Sequence, residues 1–166
     1  KHWVHEGGIS TPLIAHWPAR ITDTGALRHQ PGQLTDIMAT LLDVTQTTYP
    51  ETFDANDILP LEGVSLQPIF DGQPNGKDVL IWEHEGNRSI RQGKWKLVCK
   101  YPGEWELYDL DADRSELHDL AGQEPERVVQ MSELHDAWAE QCDVQPWDDI
   151  LEFRKRKREE NQSRST

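Results

Sequence analysis

The first residues with chemical promise are Lys1 and Glu6-Gly7-Gly8. A lysine ahead of a glycine pair can present a point positive charge beside flexible backbone. The same residues also read as a solvated lysine followed by a turn. His2 and His5 stand three apart, a spacing that could suit a metal ion, but no nearby Cys or Asp completes a set. His84-Glu85-Gly86-Asn87-Arg88 places a histidine, polar side chains and a glycine at the end of a strand-like run, where a loop can carry function. A solvated hairpin with an incidental histidine is the other reading. Asp109-x-Asp111-x-Asp113 resembles the start of a calcium loop, but Arg114 takes the place of the required glycine and Leu120 that of the closing glutamate. These aspartates read as acidic residues in a turn after a strand.

The elements that must position these residues follow from periodicity. Leu13-Ile14-Ala15-His16-Trp17, flanked by Pro12 and Pro18, predicts a short buried strand. Leu34, Ile37, Met38, Leu41 and Leu42 have the spacing of an amphipathic helix. Residues 46–64 read as a connecting loop, and Ser65 to Phe70 as a helical turn. Val79–Trp82, Ser89–Arg91, Lys94–Cys99 and Trp105–Leu110 are strand-like runs separated by Gly86-Asn87, Gln92-Gly93 and Pro102-Gly103. In the third run Trp95, Leu97 and Cys99 alternate with Lys96, Val98 and Lys100, which predicts one packed and one mostly polar face. Pro125 opens a helix with an apolar stripe of Val128, Met131, Leu134 and Trp138, expected to cover the four-stranded sheet. Arg154-Lys155-Arg156-Lys157-Arg158 and the end of the chain read as a solvated tail.

The net charge of -13 is unevenly spread. The last sixteen of the 166 residues hold six basic and three acidic side chains, so the remainder carries -16. An acidic body excludes nucleic acid as the expected partner. Hydrophobic residues are 36% of the chain and the mean hydropathy is -0.77, low for a self-sufficient globular domain, while seven Trp argue against disorder. Cys99 and Cys142 are too few and too far apart for a disulfide framework or zinc site. No apolar run approaches a membrane span. The chain opens at Lys1 without an initiator Met and reads as a portion of a longer protein.

The order of the motifs is more specific than any one of them. Lys1-x4-Glu6-Gly7-Gly8-Ile9 leads into Thr11-Pro12-Leu13-Ile14-Ala15-His16-Trp17-Pro18, then Leu34-Thr35-Asp36-Ile37-Met38, then Leu61-Glu62-Gly63-Val64-Ser65-Leu66. Arg88-Ser89-Ile90-Arg91-Gln92-Gly93-Lys94-Trp95-Lys96-Leu97-Val98 and Glu106-Leu107-Tyr108-Asp109-Leu110 follow, ahead of the Pro125 helix. Over roughly residues 1–140 this series resembles the second half of the sulfatase family, arylsulfatase type. Ser10, Ala19 and Ala39 depart from residues common there, at positions that touch packing and loop shape more than chemistry.

The resemblance implies an alkaline-phosphatase-like fold. Residues 1–70 would complete the large α/β domain, 71–77 would link, and 78–142 would form a small α+β subdomain of four antiparallel strands packed on a helix. Residues 143–166 would be a disordered basic tail. It also implies sulfate-ester hydrolysis by a formylglycine made from Cys or Ser in a Cys/Ser-x-Pro-x-Arg motif, with a calcium ion. Neither cysteine fits that motif, so nucleophile and calcium ligands are expected from the missing N-terminal half, and this chain is expected to bind no cofactor. Lys1 matches the family's sulfate-binding lysine, and His84 aligns with a loop that lines the substrate pocket. Aryl or carbohydrate sulfate esters are the expected substrates, and a periplasmic or secreted location is expected. A phosphate or phosphonate ester hydrolase of the same superfamily, or a non-catalytic binding module, are the competing readings.

Overall fold

The computed structural model describes residues 2–163. The element order is α1 (Glu6–Ile9), α2 (Thr35–Thr45), β1 (Thr52–Phe53), β2 (Asn56–Asp57), α3 (Gln67–Phe70), β3 (Val79–His84), β4 (Asn87–Gln92), β5 (Trp95–Cys99), β6 (Trp105–Asp109), α4 (Pro125–Gln141) and α5 (Trp147–Ser163). Pro12–Leu80 form one compact unit, and the chain up to Thr11 together with Ile81 onwards forms the other. The start of the chain therefore groups with the sheet, where the sequence placed it with residues 1–70.

Strands β3 to β6 lie side by side in sequence order, as expected of runs joined by short turns. The turn between β3 and β4 has two residues, Glu85 and Gly86, both at positive φ (52° and 81°), the twist that a two-residue hairpin requires. Register puts Ile90 opposite Leu97 and Leu97 opposite Leu107, so these three share one face. Helix α4 packs over β4 and β5 on that side. It buries Met131 and His135, and the His135 ring sits 5.4 Å from Trp105 and 5.7 Å from Trp138. Here His135 takes the place expected of Leu134, which is exposed. At about 100° per residue, Val128, Met131, His135 and Trp138 fall within one stripe while Leu134 lies at its edge.

The second sheet face is the main departure from expectation. Lys96, Leu97, Val98 and Cys99 are all buried, so β5 has no polar face toward water. The cover is the start of the chain: Val4 joins Val98, Tyr108 and Leu110 in one core cluster, with Ile9 and Trp82 packed against it. Lys96 is fully buried yet paired, because Glu6 and Glu116 meet its ammonium at 3.2 and 2.7 Å. Alternation correctly separated the two faces but could not show what would lie on the second one.

Two further expectations are corrected. The tail read as disordered instead forms α5, an exposed helix that begins with Trp147 and continues through the basic run. Leu13–Trp17 adopts no regular structure, and Ile14 is 89% exposed. A strand requires a neighbour for its backbone N–H and C=O groups, and the unit offers none at that position.

Within Pro12–Leu80, α2 forms where the periodicity places it, but Ile37, Met38 and Leu41 face outward and Asp36 and Ala39 are the buried residues. Asp36 organises the unit. It accepts hydrogen bonds from the backbone N–H of Gln33 (2.7 Å) and Val64 (3.0 Å) and from the Lys77 ammonium (2.7 Å). Burial pushes its pKa up, but Lys77 and the two N–H donors outweigh that and hold the carboxyl below its ordinary 3.8. Gly63 is required here, since a Cβ at that position would lie 2.1 Å from the Thr35 carbonyl oxygen. Among the described residues no helix is long and apolar enough to cross a membrane.

Candidate functional site

The segment from His2 to Ile9 carries most of the chemically suggestive residues, and each is held by a different partner. Val4 is its apolar anchor. His5 Nε2 lies 3.2 Å from Glu106 Oε2, and the Tyr108 hydroxyl donates to that same oxygen at 2.9 Å. Burial, then the Glu106 carboxylate, pushes the Tyr108 phenol well above the ordinary tyrosine range, so it remains a donor. The backbone N–H of Glu6 donates to Glu116 at 2.7 Å while the Glu6 carboxylate faces Lys96. Gly8 is demanded by sterics, because a Cβ there would fall 1.9 Å from the Trp3 carbonyl oxygen. Gly7 has open space around it. The glycine pair is thus one obligatory glycine and one permissive one, in a turn that folds the backbone back on Trp3.

This turn borders a shallow cavity of about 330 Å³ lined by Trp3, His5, Gly7, Gly8 and Lys100. Lys100 supplies the positive charge at its rim, with its ammonium 4.4 Å from the centre of the Trp3 ring.

His84, at the end of β3, is exposed and lies beside His2, the ring centres being 5.4 Å apart. His2 Nδ1 is 3.0 Å from Glu85 Oε2. The β3–β4 turn that presents His84 and Glu85 is fixed from several sides. Asn87 donates to the His84 carbonyl at 2.9 Å and accepts from the Tyr101 N–H at 3.2 Å. The Gly86 N–H donates to Glu83 at 2.7 Å, and a Cβ on Gly86 would meet the rings of Tyr101 and Trp147 at 2.8–3.0 Å. The Tyr101 hydroxyl donates to Asp148, and Arg154 of α5 approaches Glu85 at 3.8 Å.

Lys1, the expected sulfate-binding residue, lies outside the described residues. His84 is displayed on a rigid turn next to the segment that follows Lys1. The approach of His2 to His84 and Glu85 escaped the sequence reading, since residues so distant in the chain leave no local spacing to read. His2 and His5, considered there as a pair, are used separately.

Neither group that the sulfatase resemblance implies fits this chain's residues. Cys99 is buried and precedes Lys100-Tyr101-Pro102, and Cys142 precedes Asp143-Val144-Gln145. Neither provides a formylglycine motif. Among the described residues the one group of three potential metal ligands close together is His2, His84 and Glu85, two imidazoles and one carboxylate, a poor match to the oxygen-rich sphere of calcium.

Comparison with known proteins places this geometry in context. Residues 1–142 match the family model described as N-sulphoglucosamine sulphohydrolase, C-terminal. An uncharacterized sulfatase of Schizosaccharomyces pombe is 31% identical over 141 residues, covering 80% of this chain and 25% of that protein. An N-acetylgalactosamine-6-O-sulfatase of Bacteroides thetaiotaomicron is 28% identical over 152 residues, covering 81% of this chain and 28% of the relative. In fold, a solved structure in complex with its substrate D-glucosamine-2-N,6-O-disulfate superposes with a TM-score of 0.50 at 24% identity, over 68% of this chain and 25% of that one. The chain spans about a quarter to a third of the length of the curated relatives it matches.

Proposed function

The chain belongs to the sulfatase family, matching its C-terminal portion, and from that premise we propose that it serves a sulfate-ester hydrolase by contributing a sulfate-binding lysine and one wall of the substrate pocket. The observation that carries this reading is the unbroken family match over residues 1–142, which takes in both Lys1 and the His84 turn.

Lys1 is assigned to the sulfate. A fixed ammonium there would stabilise the negative charge that builds on the sulfuryl oxygens in the transition state. The Val4, Glu6 and Gly8 contacts hold the segment from His2 to Ile9 against the sheet. His84 is assigned to the pocket wall, where an exposed imidazole can hydrogen-bond the organic part of the ester. The formylglycine and calcium are assigned to the rest of a longer protein, which also gives the outward-facing Ile37, Met38 and Leu41 of α2 a surface to pack against. When present, those two groups supply the nucleophile and neutralise sulfate charge.

Carbohydrate sulfates are favoured over simple aryl sulfates as substrates, because the relatives named for a substrate include an N-acetylgalactosamine-6-O-sulfatase. The test is kinetic, in the full-length protein, with 4-nitrophenyl sulfate and a 6-sulfated N-acetylgalactosamine as probes. Lys1→Ala should lower kcat/KM by roughly 100-fold, the scale of removing one oxyanion-stabilising donor. Lys1→Arg should restore little of it, since a planar fork does not replace a point charge. Near-normal kinetics in the alanine variant would remove the assignment of Lys1.

A further inference from the structure

We propose that His2, His84 and Glu85 form a binding site for a borderline divalent metal ion of the Zn²⁺ class, distinct from the calcium expected elsewhere in the parent protein. One ligand atom from each of the three lies within 4.8 Å of the other two. At zinc–ligand distances of about 2.0–2.2 Å, the ligand atoms of a tetrahedral site stand roughly 3.3 Å apart. The His2–Glu85 contact of 3.0 Å already meets that separation. His84 must close the remaining distance by a side-chain rotation, which its exposure permits.

The donor types choose the metal. Two imidazoles and one carboxylate suit Zn²⁺, Ni²⁺ or Cu²⁺, and are poor company for Ca²⁺ or Mg²⁺. Water or an anionic oxygen would complete the fourth position.

The three side chains are also delivered by well-held backbone. His2 begins the segment that Val4 and the Glu6–Lys96 ion pair fix on the sheet. His84 precedes and Glu85 opens a turn whose Gly86 is packed against Tyr101 and Trp147. Glu85 occupies a left-handed position (φ 52°) that Asn, Asp or Gly would adopt more easily. Glu85 holds this position at some conformational cost, with Oε2 directed at His2 and Oε1 toward Arg154. Metal binding would tie the N-terminal segment to the β3–β4 turn.

The site is tested by calorimetric titration of the 166-residue chain with ZnCl₂, using Cys142→Ser as the starting protein so that the exposed thiol does not compete. Expected is one equivalent of bound zinc, with Kd weakened at least about 10-fold by either His2→Ala or His84→Ala and unchanged by His5→Ala, while CaCl₂ gives no binding. Circular dichroism of each variant separates ligand loss from unfolding. The absorption spectrum of the Co²⁺-loaded chain supplies a second readout and should lack sulfur-to-metal charge transfer. An unchanged Kd in His84→Ala, no binding below about 1 mM zinc, or a thiolate spectrum would overturn the proposal. No outcome depends on catalytic activity, so the proposal stands or falls apart from the sulfatase reading.

Discussion

Lys96 and Glu116 form an ion pair of 2.7 Å in the interior of the sheet unit, with the lysine side chain fully buried and the carboxylate nearly so. Glu6, from the other end of the unit's sequence, approaches the same ammonium at 3.2 Å. A buried cation between two carboxylates is held by geometry that only the folded chain supplies. The pair therefore fixes the position of the N-terminal segment more than it adds net stability, because desolvation offsets most of the attraction.

Lys96→Met should destabilise the sheet unit by about 3–5 kcal/mol, since it leaves Glu116 and Glu6 facing an apolar side chain without a counter-charge. Glu6→Gln should cost less, about 1–2 kcal/mol, because Glu116 still pairs with the lysine. Denaturant unfolding followed by Trp fluorescence measures both. Equal losses in the two variants would show that Glu6 is the principal partner.

The two glycines of the Glu6-Gly7-Gly8 turn should respond differently to alanine. Gly8→Ala drives a methyl group into the Trp3 carbonyl and should open the turn or cost on the order of 1–3 kcal/mol. Gly7→Ala meets nothing within 4 Å and should be tolerated within about 0.5 kcal/mol. Thermal unfolding of the two variants side by side checks the contrast.

Acid should weaken the sheet unit through His135. Burial between Trp105 and Trp138 pushes its pKa below the ordinary 6.5, with Asp136 opposing that shift and Arg88 adding to it. The unfolded chain then binds the proton more readily than the folded one. The contribution is fully present above about pH 6.5 and is lost as pH falls toward the lower folded value. His135→Phe should flatten the fall of stability as pH drops below about 6.5. A curve of unchanged slope in that variant would assign the acid sensitivity to other groups.

Amide exchange should divide the chain at different points from those a linear reading gives. Residues 4–9 should be protected together with β4, β5, β6 and α4, because Val4 and Glu6 are part of that core. Residues 13–34 should exchange quickly, having no regular element apart from a turn or two. Hydrogen exchange read by mass spectrometry decides this, and rapid exchange throughout residues 4–9 would contradict the anchoring described for Lys96.

Much of this architecture was legible before the structure. Three turn-forming pairs spaced the four strands, and Pro125 with its apolar stripe marked α4. What the sequence concealed has a common cause, which is long-range cover. Period-two alternation in β5 separates the side of Lys96 from that of Leu97, but whether water or protein meets Lys96 depends on residues some ninety positions earlier. The same holds for the candidate metal site, where His2 and His84 meet only through folding. Leu13–Trp17 failed in the opposite sense: its composition suits a strand, but pairing depends on neighbours that composition cannot report. In α5, local helix propensity and contacts of Trp147 at its start and Arg154 about two turns on win over the polarity that suggested disorder.

The return of the N-terminal segment onto β5 and β6 also shapes how the molecule must fold. The hairpins of β3 to β6 are local events, closed by loops of a few residues, and α4 docks across a connection that is still far shorter than the one to Glu6. The second sheet face cannot be sealed until Glu6 finds Lys96 across 90 positions of chain, with all of Pro12–Leu80 looped out between them. Loop closure over that distance is slower and entropically costlier than any step before it. Until it happens Val98 and Tyr108 remain uncovered, and the half-closed sheet is the species most prone to associate with others of its kind.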